Sequence, residues 1–508
     1  MNNSSQSIRG ILIAIVAIAM SIWLGVSIIT SQVETLVQAG VVGVVLICVL
    51  LGRRIWVLVP IGVALNIPVI RGLGTTEISE MLFIGFTSLM LLMRRAPMKW
   101  KIGELDFWAV AVLVMVAQVY LRNPVGLNIF GAGTVGARPY FMVALAFVTM
   151  VFLGMYQIRA RDMKWVFWLS ALGTLLSGPL NYLRVGLGGG NPADLAAEGP
   201  SDPGATDRKG YLNTIATEPA RMLSSWRSPL RAVFHPIWAP LVLLTFAAAA
   251  YSGFRNTVAM VGLIYLAGIC YRGGLAATVI SVSMGAVLLG GLAVINVAAP
   301  LPPNVQRALS PFPGTWEERY VTQAENSTEW RVEMWKSALF TDYWIQNKVL
   351  GDGLGMTADE LRRSEEIKAR GILSGRSGLT SHQEAIMVNG DYHSGPVQTV
   401  RTVGYVGLAV LLLAQIRLAV HTHRLIRRCH GTEWYPVALY FGIPLVIYPI
   451  FFVLIFGTFG TAGQALFLGI GMVKMLHANL PVPEFATGRR SKLYQPLLTR
   501  NTGAASSH

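Results

Sequence analysis

His393 is the first residue to consider for chemistry. It stands in the run Asp391-Tyr392-His393-Ser394-Gly395-Pro396, just upstream of an apolar segment that begins near position 402. An imidazole titrates close to neutral pH. At a membrane–water boundary it can act as a general base, taking the proton of a sugar hydroxyl that attacks an anomeric carbon. Asp391 is placed to orient it or to bind the acceptor, and Tyr392 is a neighbouring candidate. The plainer alternative is a surface histidine in a turn, since Ser-Gly-Pro is turn chemistry ahead of a helix.

Arg331 comes next. Glu329 to Phe340 sets Trp330, Met334 and Trp335 at helical spacing, which predicts an amphipathic helix anchored by tryptophans. A guanidinium is always charged and binds two phosphate oxygens at once, so Arg331 suits a lipid diphosphate headgroup. Arg272 follows an apolar run and precedes Gly273-Gly274. It either snorkels to the surface or, if it faces a cavity, becomes a second phosphate ligand. Arg401, Arg138 and Arg227 are further candidates. Gly351-Asp352-Gly353-Leu354-Gly355 lacks the Lys-Ser/Thr of a phosphate-binding loop and follows no predicted strand, so it reads as a tight turn. There is no HExxH, no Cys/His cluster and no Asp-x-Asp pair, so neither a metal nor a cofactor is expected.

These residues must be positioned by an apolar frame. The chain has 508 residues, 53% hydrophobic and only 13% charged, against about 25% charged in soluble domains. Repeated apolar runs mark an all-α, polytopic transmembrane bundle. The net charge of +15 falls largely in short loops and tails beside those runs, which signals topology and anionic-lipid contact rather than nucleic acid. Cys48, Cys270 and Cys429 show no CxxC spacing, so no disulfide framework or zinc site is implied.

Thirteen apolar segments are expected as spans: 10–29, 35–52, 55–70, 78–93, 106–121, 139–156, 165–183, 234–253, 256–271, 274–299, 402–420, 435–457 and 460–478. They divide the chain into N-terminal helices (1–183), a polar loop with an amphipathic segment (184–233), central helices (234–299), a large polar loop (300–401), C-terminal helices (402–478) and a basic tail (479–508). Basic clusters such as Arg53-Arg54, Arg159 to Lys164 and Arg424 to Arg428 favour the cytoplasmic side, which places the 300–401 loop outside it. Parity does not close in between. From Lys164 to Pro300 an odd number of crossings is needed, and four apolar segments lie there. Either 256–271 is a partial span or 274–299 folds as two pieces around Gly290-Gly291, giving about twelve to fourteen crossings in all. Tyr211 to Phe234, with Arg221, Arg227 and Arg231, is expected to lie at the interface with its arginines snorkelling.

Four features in order carry a resemblance. They are the Arg-Gly step Tyr271-Arg272-Gly273-Gly274, the Arg-x-x-x-Trp segment Arg331 to Trp335, the glycine turn Leu350 to Gly355, and His393 followed by Gly395, Gly404 and Gly407. Together they resemble the O-antigen ligase and O-antigen polymerase superfamily over roughly residues 210 to 475. The resemblance implies a bacterial inner-membrane enzyme with a long periplasmic loop. Its donor would be an undecaprenyl-diphosphate-linked glycan, and its acceptor a glycan, lipid A-core or a protein. It implies His393 as base and Arg331 and Arg272 as diphosphate ligands. Ser394 stands where the family often has Asn, and Tyr271 where it often has Ser. Ligase and polymerase are not separated by these residues.

The expected reaction is metal-independent glycosyl transfer outside the cytoplasm, where no nucleotide sugar is available and the donor arrives activated on a lipid. Fixed arginines would stabilise the leaving diphosphate. A transporter or flippase of lipid-linked glycan is the rival from another class, but such proteins place polar sites at the membrane midplane. The midplane of this chain reads as nearly free of charged residues. A non-catalytic envelope-assembly protein is the third reading.

Overall fold

A computed structural model of the chain describes residues 46–70, 73–126, 136–186, 209–342, 344–355 and 390–480, with isolated positions 43, 362, 366, 386 and 387. The expected span 10–29, the glycine-rich stretch 187–208 and the tail 481–508 lie outside the described residues. The described residues are mostly helical, and among them eight helices are long and apolar enough to cross a membrane. These are α1 (Leu46–Leu65), α2 (Thr75–Leu92), α3 (Glu104–Arg122), α4 (Arg138–Met155), α9 (Arg255–Ala298), α12 (Gly395–Cys429), α13 (Tyr435–Leu454) and α14 (Phe459–Asn479). Between and beside them run α5 (Ala160–Gly186), α6 (Tyr211–Trp226), α7 (Pro229–Val233), the short apolar α8 (Ala239–Tyr251), α10 (Pro303–Leu309) and α11 (Glu318–Phe340). The described strands, β1 (Pro68–Ile70) and β2 (Leu73–Gly74), form one small antiparallel pair.

The chain divides into two compact units, Met1–Val57 with Gly85–Ala96 and Leu58–Ile84 with Pro97–His508. The smaller holds a 3₁₀ stretch, Gly52–Val57. Every contact described below lies within the larger.

Helix contacts define two ends of that unit. α12 starts beside His393 and ends in the basic cluster Arg424 to Arg428. We call these the loop end and the basic end. α3 runs between them: Glu104 lies 3.2 Å from His421 and 3.4 Å from Arg417, while Arg122 donates to the carbonyls of Leu350 and Gly351 at 3.0 and 2.7 Å. In α4, the Tyr140 hydroxyl accepts from the Leu354 amide at the loop end, and Tyr156, just past the helix, meets Asn479 at the basic end. α13 returns from the basic end, where the Tyr435 hydroxyl donates to the Tyr271 carbonyl at 2.6 Å.

α6 corrects the expectation of an interfacial helix. Its first turn meets the loop end, with Asn213 Oδ1 accepting from the Thr257 hydroxyl at 2.7 Å. At the other end, Trp226 packs on Phe167 and Trp168 of α5. It buries Ala216, Glu218, Ala220, Leu223, Ser224 and Ser225, so it traverses the unit. Nor does Arg221 snorkel. It pairs with Glu218 at 2.6 Å, hydrogen-bonds the Tyr440 hydroxyl, and lies 4.0 Å from the centre of that ring. Tyr440 in turn donates to Glu218 at 2.7 Å. A charge pair inside the bundle is costly unless its partners are satisfied; here Tyr440 bridges both, and Arg221 Nε alone stays buried without a hydrogen bond. The interior is therefore not free of charge, as the sequence had suggested.

α9 breaks at Gly274 (φ 74°, ψ −171°), between the expected segments 256–271 and 274–299, a left-handed conformation that glycine adopts without a Cβ penalty, and it continues as helix through Gly290-Gly291 rather than folding there as two pieces. Its first arm, 255–273, leads from the loop end to the basic end, and the second, 275–298, leads back. Asn304, just past the second arm, donates to Tyr251, just before the first. Among the described residues between Lys164 and Pro300, α5, α6, α8 and the two arms of α9 each run from one end of the unit to the other, with α6 the one that hydropathy hides.

Candidate functional site

At the loop end, α11 lays Met334 and Ala338 against Met387, Tyr392, Val397 and Val400, with Trp330, Trp335 and Trp344 packed around them. The apolar face expected between Glu329 and Phe340 thus fixes the polar stretch onto α12. The Trp335 indole N–H donates to the Tyr392 carbonyl at 2.7 Å. Tyr392 itself is fully buried in this cluster, so it anchors the segment and offers no ring to a substrate.

The glycine turn is a second clamp. The Asp352 carboxylate accepts from the amides of Gln346 and Asn347 at 2.8 Å each, and the Asp352 amide donates to the Arg401 carbonyl at 2.6 Å. Opposite it, α12 breaks at Gly404 (φ 75°). The amides of Tyr405 and Val406 are thereby turned to the carbonyls of Lys348 and Val349. A Cβ on Gly404 would stand 2.1 Å from the Val349 carbonyl oxygen, so only glycine permits this approach. Arg401 is buried beneath the backbone of Gly390. Its guanidinium thus lies against the residue that precedes Asp391.

α12 begins at Gly395, seven residues earlier than the apolar pattern implied, with Pro396 in its first turn. His393 precedes it in a left-handed conformation (φ 50°), unusual for a residue with a side chain and a mark of local strain held by its surroundings. Its ring is flanked by Trp330 at 6.5 Å and Phe456 at 6.2 Å between centroids. Asp391 Oδ1 lies 3.6 Å from His393 Nδ1, ion-pair distance but too long for a hydrogen bond. That oxygen, the Nε of Arg331 and the indole Nε1 of Trp330 are buried without hydrogen-bond partners. Buried polar atoms are normally satisfied, so three unsatisfied groups beside one histidine mark a place where a polar ligand fits.

Three arginines lie within electrostatic reach of one another here. Arg331 acts electrostatically on Arg307 and on Arg255, and Arg307 acts on Arg255. They come from three elements: Arg255 opens the first arm of α9, Arg307 lies in α10 after the second arm, and Arg331 lies in α11. Burial holds the Arg331 guanidinium below its usual range, with Asp391 opposing the shift. Burial and then Arg331 push Arg307 the same way. Positive charges within reach of one another favour an anion near them.

Arg272 is not among them. Its Nε donates to the Ser224 carbonyl at 3.0 Å and its Nη2 to that of Ser225, and its guanidinium lies over the Tyr435 ring. The next residue back, Tyr271, meets His423, which lies 28 residues beyond Gly395 on α12, or about 40 Å along a helix. Arg227 is at the same basic end, within the electrostatic reach of Arg272. The structure thus keeps His393, Asp391 and Arg331 together and places Arg272 and Arg227 at the far end. Sequence reading missed Arg255 and Arg307. Neither carried a motif, and Arg255 stands only as a residue next to the apolar segment 256–271. The signal available was that each flanks an arm of the helix containing the Arg-Gly step.

No protein-family model matches this chain, and no curated protein matches it. Among the described residues, no group of three or more His, Cys, Asp or Glu is arranged to hold a metal ion.

Proposed function

We propose that the chain is a membrane glycosyltransferase that uses a lipid diphosphate-linked glycan as donor at the loop end of the bundle. The observation that carries this reading is the set of buried, unsatisfied polar atoms of Arg331, Asp391 and Trp330 beside His393, with Arg255 and Arg307 within electrostatic reach of Arg331. In the proposed step an acceptor hydroxyl attacks the anomeric carbon and the bond from that carbon to the diphosphate oxygen breaks. The hydroxyl proton passes to His393, and the lipid diphosphate leaves as an anion held by the guanidiniums. Negative charge grows on the leaving group, and donors fixed in advance stabilise it most in a site that excludes water. Trp330 and Phe456 offer apolar faces on either side of the imidazole, against which a sugar ring can pack.

The resemblance to O-antigen ligases and polymerases supports the same chemistry and suggests undecaprenyl diphosphate as the carrier, in a bacterial inner membrane with residues 300–401 in the periplasm. A direct test uses purified protein in nanodiscs with a polyprenyl diphosphate-linked glycan and glycan or lipid A-core acceptors. Product should form in the presence of chelator and disappear in Arg331→Ala and His393→Ala proteins of normal yield. Undiminished product from both variants would sink the reading. In cells, build-up of full-length lipid-linked chains on deletion marks a ligase, whereas loss of long chains with single repeats intact marks a polymerase.

One observation favours a second reading, a flippase for the same lipid: the Glu218–Arg221–Tyr440 network inside the bundle. Lipid flipping by reconstituted protein without glycosyl transfer, abolished in Glu218→Gln, would establish it.

A further inference from the structure

The arginines that the candidate site does not use form a cluster of their own. At the basic end, Arg227 follows the last residue of α6, Arg272 ends the first arm of α9, and Arg427 lies in the last turn of α12. Arg227 acts electrostatically on Arg272, and both Arg272 and Arg427 act on Tyr435. Among the described residues, the groups acting on Arg272, Tyr271 and Tyr435 are arginines, tyrosines and a cysteine, and none is a carboxylate. The aromatic wall is ordered: Tyr271 hydrogen-bonds His423 at 2.9 Å and Tyr435 donates to the Tyr271 carbonyl at 2.6 Å.

We propose that this end binds the phosphate of an anionic glycerophospholipid, as a site separate from the one beside His393. Three features argue for a single phosphate on a lipid. First, Arg272 spends Nε and Nη2 on the carbonyls that end α6, which fixes its positive charge at this end of the bundle. Second, Arg227 and Arg427 are exposed, so their charges reach a headgroup without moving the fold. Third, apolar surface begins at once below the cluster: α9 breaks at Gly274, and Leu275 and Val279 on the second arm are exposed. A headgroup on the arginines therefore has a place for its acyl chains along that arm. Arginines near a membrane surface attract anionic lipid individually. Here three elements bring them to one point beside an apolar face.

Native mass spectrometry on protein taken from nanodiscs of phosphatidylcholine with phosphatidylglycerol tests this. Wild-type protein should retain phosphatidylglycerol, and Arg227→Ala/Arg427→Ala should lower retention at least about tenfold. Arg272 is left intact in that variant because its carbonyl contacts hold the fold. Arg227→Lys/Arg427→Lys should keep most of the retention, which separates lost charge from lost structure. Arg331→Ala should retain the lipid as wild type does. The proposal is overturned if the double alanine variant retains phosphatidylglycerol undiminished, if Arg331→Ala loses as much, or if millimolar inorganic phosphate displaces the lipid. Preferential capture of an added polyprenyl diphosphate by this end in the Arg331→Ala protein would likewise overturn it.

Discussion

The two ends of the bundle hold the same kind of group in opposite circumstances. At the loop end, Arg331 is half-buried with an unsatisfied Nε, beside a strained histidine and a carboxylate oxygen that also lacks a hydrogen-bond partner. At the basic end, Arg272 has two backbone carbonyls and a tyrosine ring. A guanidinium whose hydrogen bonds are made within the fold is a structural cap, favoured where helix carbonyls are exposed. One with an unsatisfied nitrogen beside other unsatisfied polar atoms is poised for a ligand. Residue type and local motif do not distinguish these cases; the surroundings do.

The contrast can be broken by mutation. The largest effect is expected for Arg331→Ala, with glycosyl transfer falling about 10²–10³-fold, by analogy with loss of one charge-stabilising donor. Arg331→Lys should restore only part of it, since a point charge cannot grip two oxygens. Initial-rate assays with saturating acceptor would show this, and a fall of under threefold for Arg331→Ala would erase the distinction between the ends. Arg255→Ala and Arg307→Ala should each cost about 10–100-fold, the scale of one hydrogen bond to a charged group. If either matches wild type, that arginine is outside the site. Gly404→Ala should destabilise the protein by about 1–3 kcal/mol through its left-handed backbone alone. It should also loosen the loop clamp, seen as faster proteolysis within residues 300–401. Smallest in turnover is Arg272→Ala, expected to stay within about twofold of wild type per folded molecule. The loss should appear instead as about 1–3 kcal/mol of stability, from carbonyls left without their charged donor. A collapse in turnover at normal stability would return Arg272 to the catalytic machinery.

Much of the site was legible because its signals are local. The tryptophan spacing of 330–335 gave the helix that anchors the loop, whereas the apolar pattern put the start of α12 seven residues too late. The glycine run gave a turn, and the turn is what the structure contains. Arg272 misled because its motif says nothing about the end of the bundle to which it belongs. α6 was misread for a related reason. Glu218 and Arg221 make its hydropathy too low for a span, yet they neutralise each other against Tyr440 of α13, more than two hundred residues away.

By itself the sequence determined the class of molecule: apolar runs of membrane-crossing length must become helices, because backbone polar groups in a lipid interior have to be paired within the segment. It also determined that one long polar stretch would sit against them. Tertiary structure alone decided which charges meet. The break at Gly274 folds α9 back on itself, so Arg255 and Arg307 come together at one end while Arg272 is carried to the other. The physical reason is range. Hydropathy and helix spacing act over a few turns, whereas the field at Arg331 is set by residues that the chain brings back only after crossing the bundle.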